Sequence, residues 1–325
     1  MNILVISGFL GVGKTTWIRE MIRRTGKFVA IYENEYAAQG MDRQILEHAL
    51  RAEPSGTEVN IWERTEGCIC CSAQGDFASS VLTIANTVNP EVLLVEPTGV
   101  AQLGNILENL KQIQYEAIRI LKPVTIVDGL HARLQEQQYP ELFRDQILHA
   151  GTLIFSKTEQ MDDAERVALE DWVRTLGVEV SCLSRPYAEM DDDWWEALTE
   201  EEDERAGRAG RAATEIAPDA LPDTISFHKV TLPSVATLGA VLERVMTGAY
   251  GEIVRAKGIV SCGGEMVQFD LVEGAYTIVG LEPNAIEESG ERSAVFIGHA
   301  LSIPRLKEAL YGVQKKRRRI SLRRG

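Results

Sequence analysis

Gly8-Phe9-Leu10-Gly11-Val12-Gly13-Lys14-Thr15-Thr16 is the stretch that decides the fold of this chain. It satisfies G-x-x-x-x-G-K-[ST], the pattern of a loop that cradles phosphates. The apolar run Ile3–Ile6 reads as the buried strand that feeds such a loop. Trp17, Ile18, Met21 and Ile22 recur at helical spacing and read as the helix that follows it. Glycines let the backbone curl, so that successive N–H groups face phosphate oxygens at a helix N-terminus that favours anions. The expected cradle is Gly8, Gly11, Val12, Gly13, Lys14, Thr15 and Thr16. Lys14 is expected to reach the β/γ-phosphates and Thr15 to place its hydroxyl on Mg²⁺.

Outward from this loop, short apolar strands alternate with amphipathic helices as far as about Tyr187. The strands read as Ile3–Ser7, Phe28–Tyr32, Val59–Trp62, Val92–Val95, Pro123–Val127, Thr152–Phe155 and Val178–Cys182, with helical patterns such as Phe77–Val88 and Ala164–Leu176 between them. That alternation predicts an α/β domain over 1–187, a doubly wound, mostly parallel sheet with ligands at the C-terminal strand ends. Glu189–Glu204 then holds ten acids in sixteen residues without a Lys or Arg, and Ala206–Pro222 turns to Gly, Ala, Arg and Pro. Residues 188–222 therefore read as an acidic, mobile linker. Trp194 and Trp195 inside it mark either a helical turn that docks or a solvent-facing insertion.

A second, smaller α+β domain is predicted over 223–313. Its strands read as Ile225–Leu232, Ile253–Val260, Met266–Leu271, Tyr276–Val279 and Ala294–Ile297, and its helices as Val235–Met246 and Ile303–Tyr311. Residues 314–325 form a basic tail with seven Lys/Arg and no acid, which leaves the rest of the chain at −21 of the net −14. So acidic a body disfavours nucleic acid as the main partner. No apolar run approaches the length of a membrane span. The strand and nucleotide loop at the very start leave no room for a signal peptide, and a cytoplasmic location is expected. Five cysteines, three of them in four residues, argue against a disulfide framework.

Three further segments carry chemistry. Val92–Val95 runs into Glu96-Pro97-Thr98-Gly99. A carboxylate past a buried strand, paired with the phosphate loop, reads as the second nucleotide motif: Glu96 holds Mg²⁺, and Gly99 lets the backbone approach the γ-phosphate. Thr152–Phe155 runs into Ser156-Lys157-Thr158-Glu159, which stands where a guanine-reading Asn-Lys-x-Asp segment is found. The Glu159 carboxylate can accept from the guanine N1–H and N2 amine, and the Lys157 stem can pack on the base. Ser replaces Asn and Glu replaces Asp, so guanine preference is expected in a weakened form.

Glu66-Gly67-Cys68-Ile69-Cys70-Cys71-Ser72 is the third segment. Three thiols in four residues can grip one soft ion, Zn²⁺ or Cu(I), and leave a fourth position open. A redox switch is the runner-up, and thiols that merely pack a loop the remaining alternative. Glu33-Asn34-Glu35 and Gly40-Met41-Asp42 place acids on the γ-phosphate side. Glu35 and Asp42 are candidates to orient water, touch Mg²⁺ or complete the metal's ligand set. No arginine stands in an obvious position to act as a finger toward the γ-phosphate, and Arg64, the one candidate near a motif, reads as the partner of a neighbouring carboxylate, so slow intrinsic turnover is expected.

Together, Gly8–Thr16, Asn34-Glu35, Gly67–Ser72, Glu96–Gly99 and Ser156–Glu159 resemble the CobW family of P-loop GTPases, relatives of the urease and hydrogenase nickel-maturation GTPases. Cys-x-Cys-Cys between the nucleotide motifs is the most specific mark of that resemblance. Val254-Arg255-Ala256-Lys257-Gly258 and Val295-Phe296-Ile297-Gly298 are similar to signatures of the CobW C-terminal domain. Tyr36-Ala37-Ala38 departs from the Phe/Tyr-Gly pair that usually follows Asn-Glu. The resemblance implies a GTP- and Mg²⁺-dependent metallochaperone or metalloenzyme activator. It would deliver Zn²⁺, or another divalent metal such as Co²⁺, to a client metalloprotein, with an oligomer possible. An activator that remodels a cobalamin- or nitrile hydratase-related client without carrying metal is the alternative.

Overall fold

The computed structural model describes residues 1–34, 60–63, 74–114, 117–203, 216, 221–272, 274–281 and 292–312. Two compact units divide the chain, Met1–Pro222 and Asp223–Gly325.

The first unit is built on strands β1 (Asn2–Ser7), β2 (Val29–Asn34), β3 (Asn60–Glu63), β4 (Val92–Pro97), β5 (Arg119–Ile120), β6 (Val124–Asp128), β7 (Thr152–Ser156) and β8 (Ser181–Leu183). Among the described residues they form one sheet in the order β3-β2-β4-β1-β6-β7-β8, with β5 on β1, and every pairing is parallel. The expected parallel α/β architecture is the one found. Strands buried on two faces read as continuous apolar runs, which is why Ile3–Ile6 and Val92–Val95 are legible. Helices α1 (Lys14–Thr25), α2 (Gln74–Thr87), α3 (Leu103–Lys111), α4 (Ala132–Gln138), α5 (Pro140–Leu148) and α6 (Asp163–Thr175) connect them. Parallel neighbours need such crossovers. Asp162 and Glu165 close the start of α6 with reciprocal bonds of 2.8 and 2.9 Å, a capping box.

The chain runs outward from β1 in two directions, to β4, β2 and β3 on one side and to β6, β7 and β8 on the other. Such a reversal opens a crevice at the carboxyl ends of the central strands. The loops after β1, β4, β6 and β7 all leave the sheet at that end.

The acidic stretch departs from its reading as a mobile linker. Residues Asp192–Leu198 form helix α7, started by the Asp191 carboxylate, which accepts from the Trp194 N–H at 2.9 Å. Trp195 is fully buried, its ring centroid 5.4 Å from that of Trp17 on α1. Trp194 and Tyr187 meet it edge-on. Arg24 and Lys27 pair with Asp192 and Glu196 at 3.1 and 2.8 Å. The acids that suggested solvation are thus aimed at basic residues at the end of α1, and the tryptophans beneath them supply the apolar anchor. Lys122 likewise meets Glu201 at 2.7 Å. Most of residues 204–220, and all of the basic tail 314–325, lie outside the described residues.

The second unit carries strands β9 (Asp223–His228), β10 (Thr231–Leu232), β11 (Glu252–Cys262), β12 (Glu265–Val272), β13 (Ala275–Gly280) and β14 (Ser293–His299), with helices α8 (Val235–Met246) and α9 (Ile303–Tyr311). Its sheet runs β13-β12-β11-β14-β9, antiparallel, with β10 parallel to β11. The run Ile225–Leu232, expected as one strand, is two: Lys229 takes φ +58° and turns the chain between them. Phe227, Val260, Phe269, Phe296, Leu238, Leu242 and Leu306 share the core of this unit.

Candidate nucleotide site

The loop after β1 is shaped by glycines in conformations closed to other residues. Gly8, Gly11 and Gly13 have φ of +139°, +75° and +94°. A Cβ on Gly8 would lie 2.2 Å from the Ile126 carbonyl oxygen, so the loop enters pressed against β6. Gly13, at the N-cap of α1, has nothing within 4 Å of its missing Cβ and opens onto free space. Lys14 is 7% exposed, and its Nζ donates to the carbonyls of Gly8 at 3.1 Å and Phe9 at 3.2 Å. The loop therefore encircles its own lysine. Thr15 is half-buried and Thr16 exposed on the first turn of α1.

Glu96 arrives from β4 with a carboxylate oxygen 4.0 Å from Lys14 Nζ. Glu33 on β2 stands in register beside it and is also buried. Hydroxyl and carboxylate oxygens are the hard donors that Mg²⁺ takes, so Thr15, Glu96 and Glu33 are a donor set suited to it. Gly99 lies flat on the phosphate loop: a Cβ there would come within 2.6 Å of the Leu10 nitrogen. Only glycine permits that approach.

On the other side of β1, Asp128 and Ser156 are neighbours in register at the ends of β6 and β7. The buried Ser156 hydroxyl donates to the Val12 carbonyl at 2.7 Å and also contacts the Val127 carbonyl at 3.3 Å. Lys157 takes φ +58°, uncommon for a side chain of this kind. Its Nζ pairs with the fully buried Asp128 carboxylate at 2.6 Å. Asp128 also accepts from the Leu130 N–H at 2.9 Å and contacts His131 Nδ1 at 3.1 Å. The Thr158 carbonyl is held by two guanidinium nitrogens of Arg166, at 3.0 and 3.3 Å. Glu159 is exposed beyond it. Asp128 is absent from the residues singled out by sequence, although the signal is the one that revealed Glu96: an acid directly after a buried apolar run.

Every expected nucleotide residue from Gly8 to Thr16, together with Glu96, Gly99, Ser156, Lys157 and Glu159, thus belongs to a loop, a strand end or the first turn of α1 at one edge of the sheet. Glu35, Asp42, Cys68, Cys70 and Cys71 lie outside the described residues. Among the described residues no three His, Cys, Asp or Glu side chains form a cluster that could hold a metal ion.

The sequence matches the model of the CobW/HypB/UreG nucleotide-binding domain over residues 2–183. The chain belongs to the CobW/HypB/UreG family. Residues 224–314 match the cobalamin synthesis protein cobW C-terminal domain, so the CobW resemblance extends over both units. Among curated CobW-family relatives, the zinc chaperone CobW of Sinorhizobium sp is 30% identical over 194 residues, covering 52% of this chain and 54% of the relative. The zinc chaperone YjiA of Escherichia coli (strain K12) is 27% identical over 173 residues, covering 51% and 52%. The chain spans about half the length of these relatives in those matches. The crystal structure of the Zn(II)-bound YjiA GTPase from E. coli aligns with a TM-score of 0.44 at 19% identity, covering 97% of this chain and 99% of that one. No helix among the described residues is long and apolar enough to cross a membrane.

Proposed function

We propose that this CobW-family chain is a slow GTPase that carries a divalent metal, with Zn²⁺ the first choice, to a client metalloprotein. The observation that carries the nucleotide half is the Ser156–Val12 bond, which joins the candidate base-reading loop to the candidate phosphate loop. Lys14, which donates to the Gly8 and Phe9 carbonyls, would turn its ammonium toward the β/γ-phosphates. Glu159 and the Lys157 stem would take the guanine. Thr15 and Glu96, with Glu33 beside them, would hold Mg²⁺, which neutralises charge on the phosphates. Gly99 would meet the terminal phosphate.

The metal half rests on the sequence Cys68-Ile69-Cys70-Cys71 together with family relatives named zinc chaperones. Thiolates favour Zn²⁺, and Glu35 or Asp42 can complete its ligand set. The thiol segment lies between the nucleotide motifs in sequence, so hydrolysis would alter the segment that holds the metal and favour transfer.

Two titrations test the two halves. In nucleotide competition, unlabelled GTP is expected to displace a labelled GTP analogue at lower concentration than ATP; equal displacement rejects the guanine assignment. Zinc is then titrated into wild type and a Cys70→Ser/Cys71→Ser variant, each with and without a non-hydrolysable GTP analogue. Tighter zinc binding by wild type with the analogue is expected, with a reciprocal effect of zinc on nucleotide in the range of about 5–150-fold. Equal zinc affinity in all four arms removes the metal-carrying role.

A further inference from the structure

The loop that follows β4 is stitched to helix α5 by buried polar side chains that no nucleotide motif accounts for. Gln146 on α5 is 3% exposed. Its Nε2 donates to the Gly99 carbonyl at 3.1 Å and faces the Ala101 carbonyl at 3.4 Å. Both neighbours are acceptors only, so the amide nitrogen and not its oxygen must face them. The Gln146 backbone carbonyl accepts from the Thr125 hydroxyl at 3.0 Å, which ties the helix to β6. One residue earlier, the buried Asp145 carboxylate faces the Gly104 N–H at 3.4 Å, in the first turn of α3. The same helix reaches the phosphate loop by a separate route. Tyr139, at its N-cap, packs on Phe9 with ring centroids 4.9 Å apart.

These bonds fix the backbone at Gly99. The Thr98 carbonyl is taken by the Ala101 N–H at 2.9 Å, and the Gly99 carbonyl by Gln146. A peptide unit is planar, so holding the Thr98 carbonyl also sets the direction of the Gly99 N–H. Gly99 itself has no room to drift, with a Cβ position only 2.6 Å from the Leu10 nitrogen and 2.8 Å from the Phe9 carbonyl carbon. A buried amide that loses its acceptors bears a desolvation penalty. Gln146 must therefore follow any rotation of the peptide that carries the Gly99 carbonyl, and that peptide shares the Gly99 Cα with the one that carries the Gly99 N–H.

We infer that Gln146 is a positioning residue that, by holding the Gly99 carbonyl, keeps the backbone on both sides of the Gly99 Cα ready for a third phosphate and transmits the presence of that phosphate to helix α5. The inference rests on the GTPase reading above. It makes Gln146 a determinant of triphosphate over diphosphate preference. The base and the first two phosphates are bound by other loops, so the affinity for GDP is left to them. It also gives the nucleotide site an output on the outer layer of the domain, through a helix that carries no nucleotide motif.

The test uses the full chain with Mg²⁺. Affinities for GDP and for a non-hydrolysable GTP analogue are measured for wild type, Gln146→Met, which keeps the shape without the donor, and Gln146→Asn, which withdraws the donor by one methylene. GDP affinity is expected to stay within about twofold. Analogue affinity should fall about 5- to 10-fold in each variant, the scale of one lost hydrogen bond. Equal loss for the two nucleotides, or loss for neither, overturns the inference. Hydrogen exchange on wild type needs no substitution: residues 140–149 should exchange more slowly with the GTP analogue than with GDP, and identical exchange in the two states overturns the inference. Failure of wild type to prefer guanine nucleotides over adenine is a separate result that rejects the GTPase reading itself.

Discussion

The Ser156 hydroxyl donates to the Val12 carbonyl at 2.7 Å, across 144 positions of sequence. One small side chain thereby joins the loop after β7 to the loop after β1. The longer Asn expected at this position is replaced by Ser, and the shorter side chain still spans the gap because the two loops leave strands separated only by β6. The Ser–Asn departure therefore bears on loop geometry, and under the proposed GTPase reading the choice of base would fall to Lys157 and Glu159.

Ser156→Ala should weaken the two loops together. Val12 would lose a donor inside the protein, and leaving a buried acceptor unsatisfied costs about 1–3 kcal/mol. Denaturant unfolding should show a loss on that scale. GDP affinity should fall in the same variant, because the phosphate loop would no longer be held against the base-reading loop. A variant with unchanged GDP affinity would show that the bond serves folding alone.

Trp195→Ala should destabilise the first unit by about 3–5 kcal/mol, the cost of truncating a large buried aromatic. Trp195 is fully buried and packs on Trp17, the first apolar residue of the helix that opens with Lys14. Urea unfolding followed by far-ultraviolet circular dichroism checks this. A loss below about 1 kcal/mol, the scale of a surface substitution, would mean that the acidic segment hangs free as its composition suggested.

The loops and strand ends of the candidate nucleotide edge were legible because their signals are local. Glycines needed for positive φ, a lysine at a helix start and an acid after a buried strand all occur within short windows of sequence. The docking of Asp192–Leu198 was legible only as one of two alternatives for Trp194 and Trp195, because its cause is non-local: Arg24, Lys27 and Trp17 lie some 170 residues away. Counting acids without their partners turned an anchored helix into a linker. Gln146 was invisible for a related reason. A glutamine on an amphipathic helix reads as solvent-facing until the carbonyls it faces are known. In the second unit, the break at Lys229 has no Gly or Pro to announce it.

Acid titration should expose the ion pairs that close α1. Hydrogen bonds from Arg23, then Arg24, hold the Glu20 carboxyl below its ordinary 4.5 against partial burial, which acts the other way. A depressed carboxylate contributes stability above its ordinary pKa and loses it as pH falls through the lower folded-state value. Glu20→Gln should therefore be slightly less stable than wild type at pH 7. The two stability curves should converge once the pH is well below 4.5. The pair is near the surface, so the gap should also shrink in high salt. A gap that persists in acid would trace to packing of the Glu20 stem.

Thiol labelling can isolate the metal segment without mutating it. Burial, reinforced by the nearby Glu170 carboxylate, pushes the Cys182 thiol up to about 11. Burial likewise raises Cys262 above its ordinary value. The thiolate is the reacting species, so at pH 8 only about one Cys182 thiol in a thousand is competent to react. Brief iodoacetamide treatment of the native protein, read by peptide mass spectrometry, should leave Cys182 and Cys262 unmodified. Label should collect on the peptide that holds Cys68, Cys70 and Cys71. Stoichiometric zinc should suppress that label, because a thiolate committed to a metal is no longer a free nucleophile, and a chelator should restore it. The metal-carrying proposal is lost if zinc leaves labelling of this peptide unchanged while Cys182 and Cys262 stay silent. Rapid labelling of Cys182 would instead show that its burial beside Glu170 does not hold in solution.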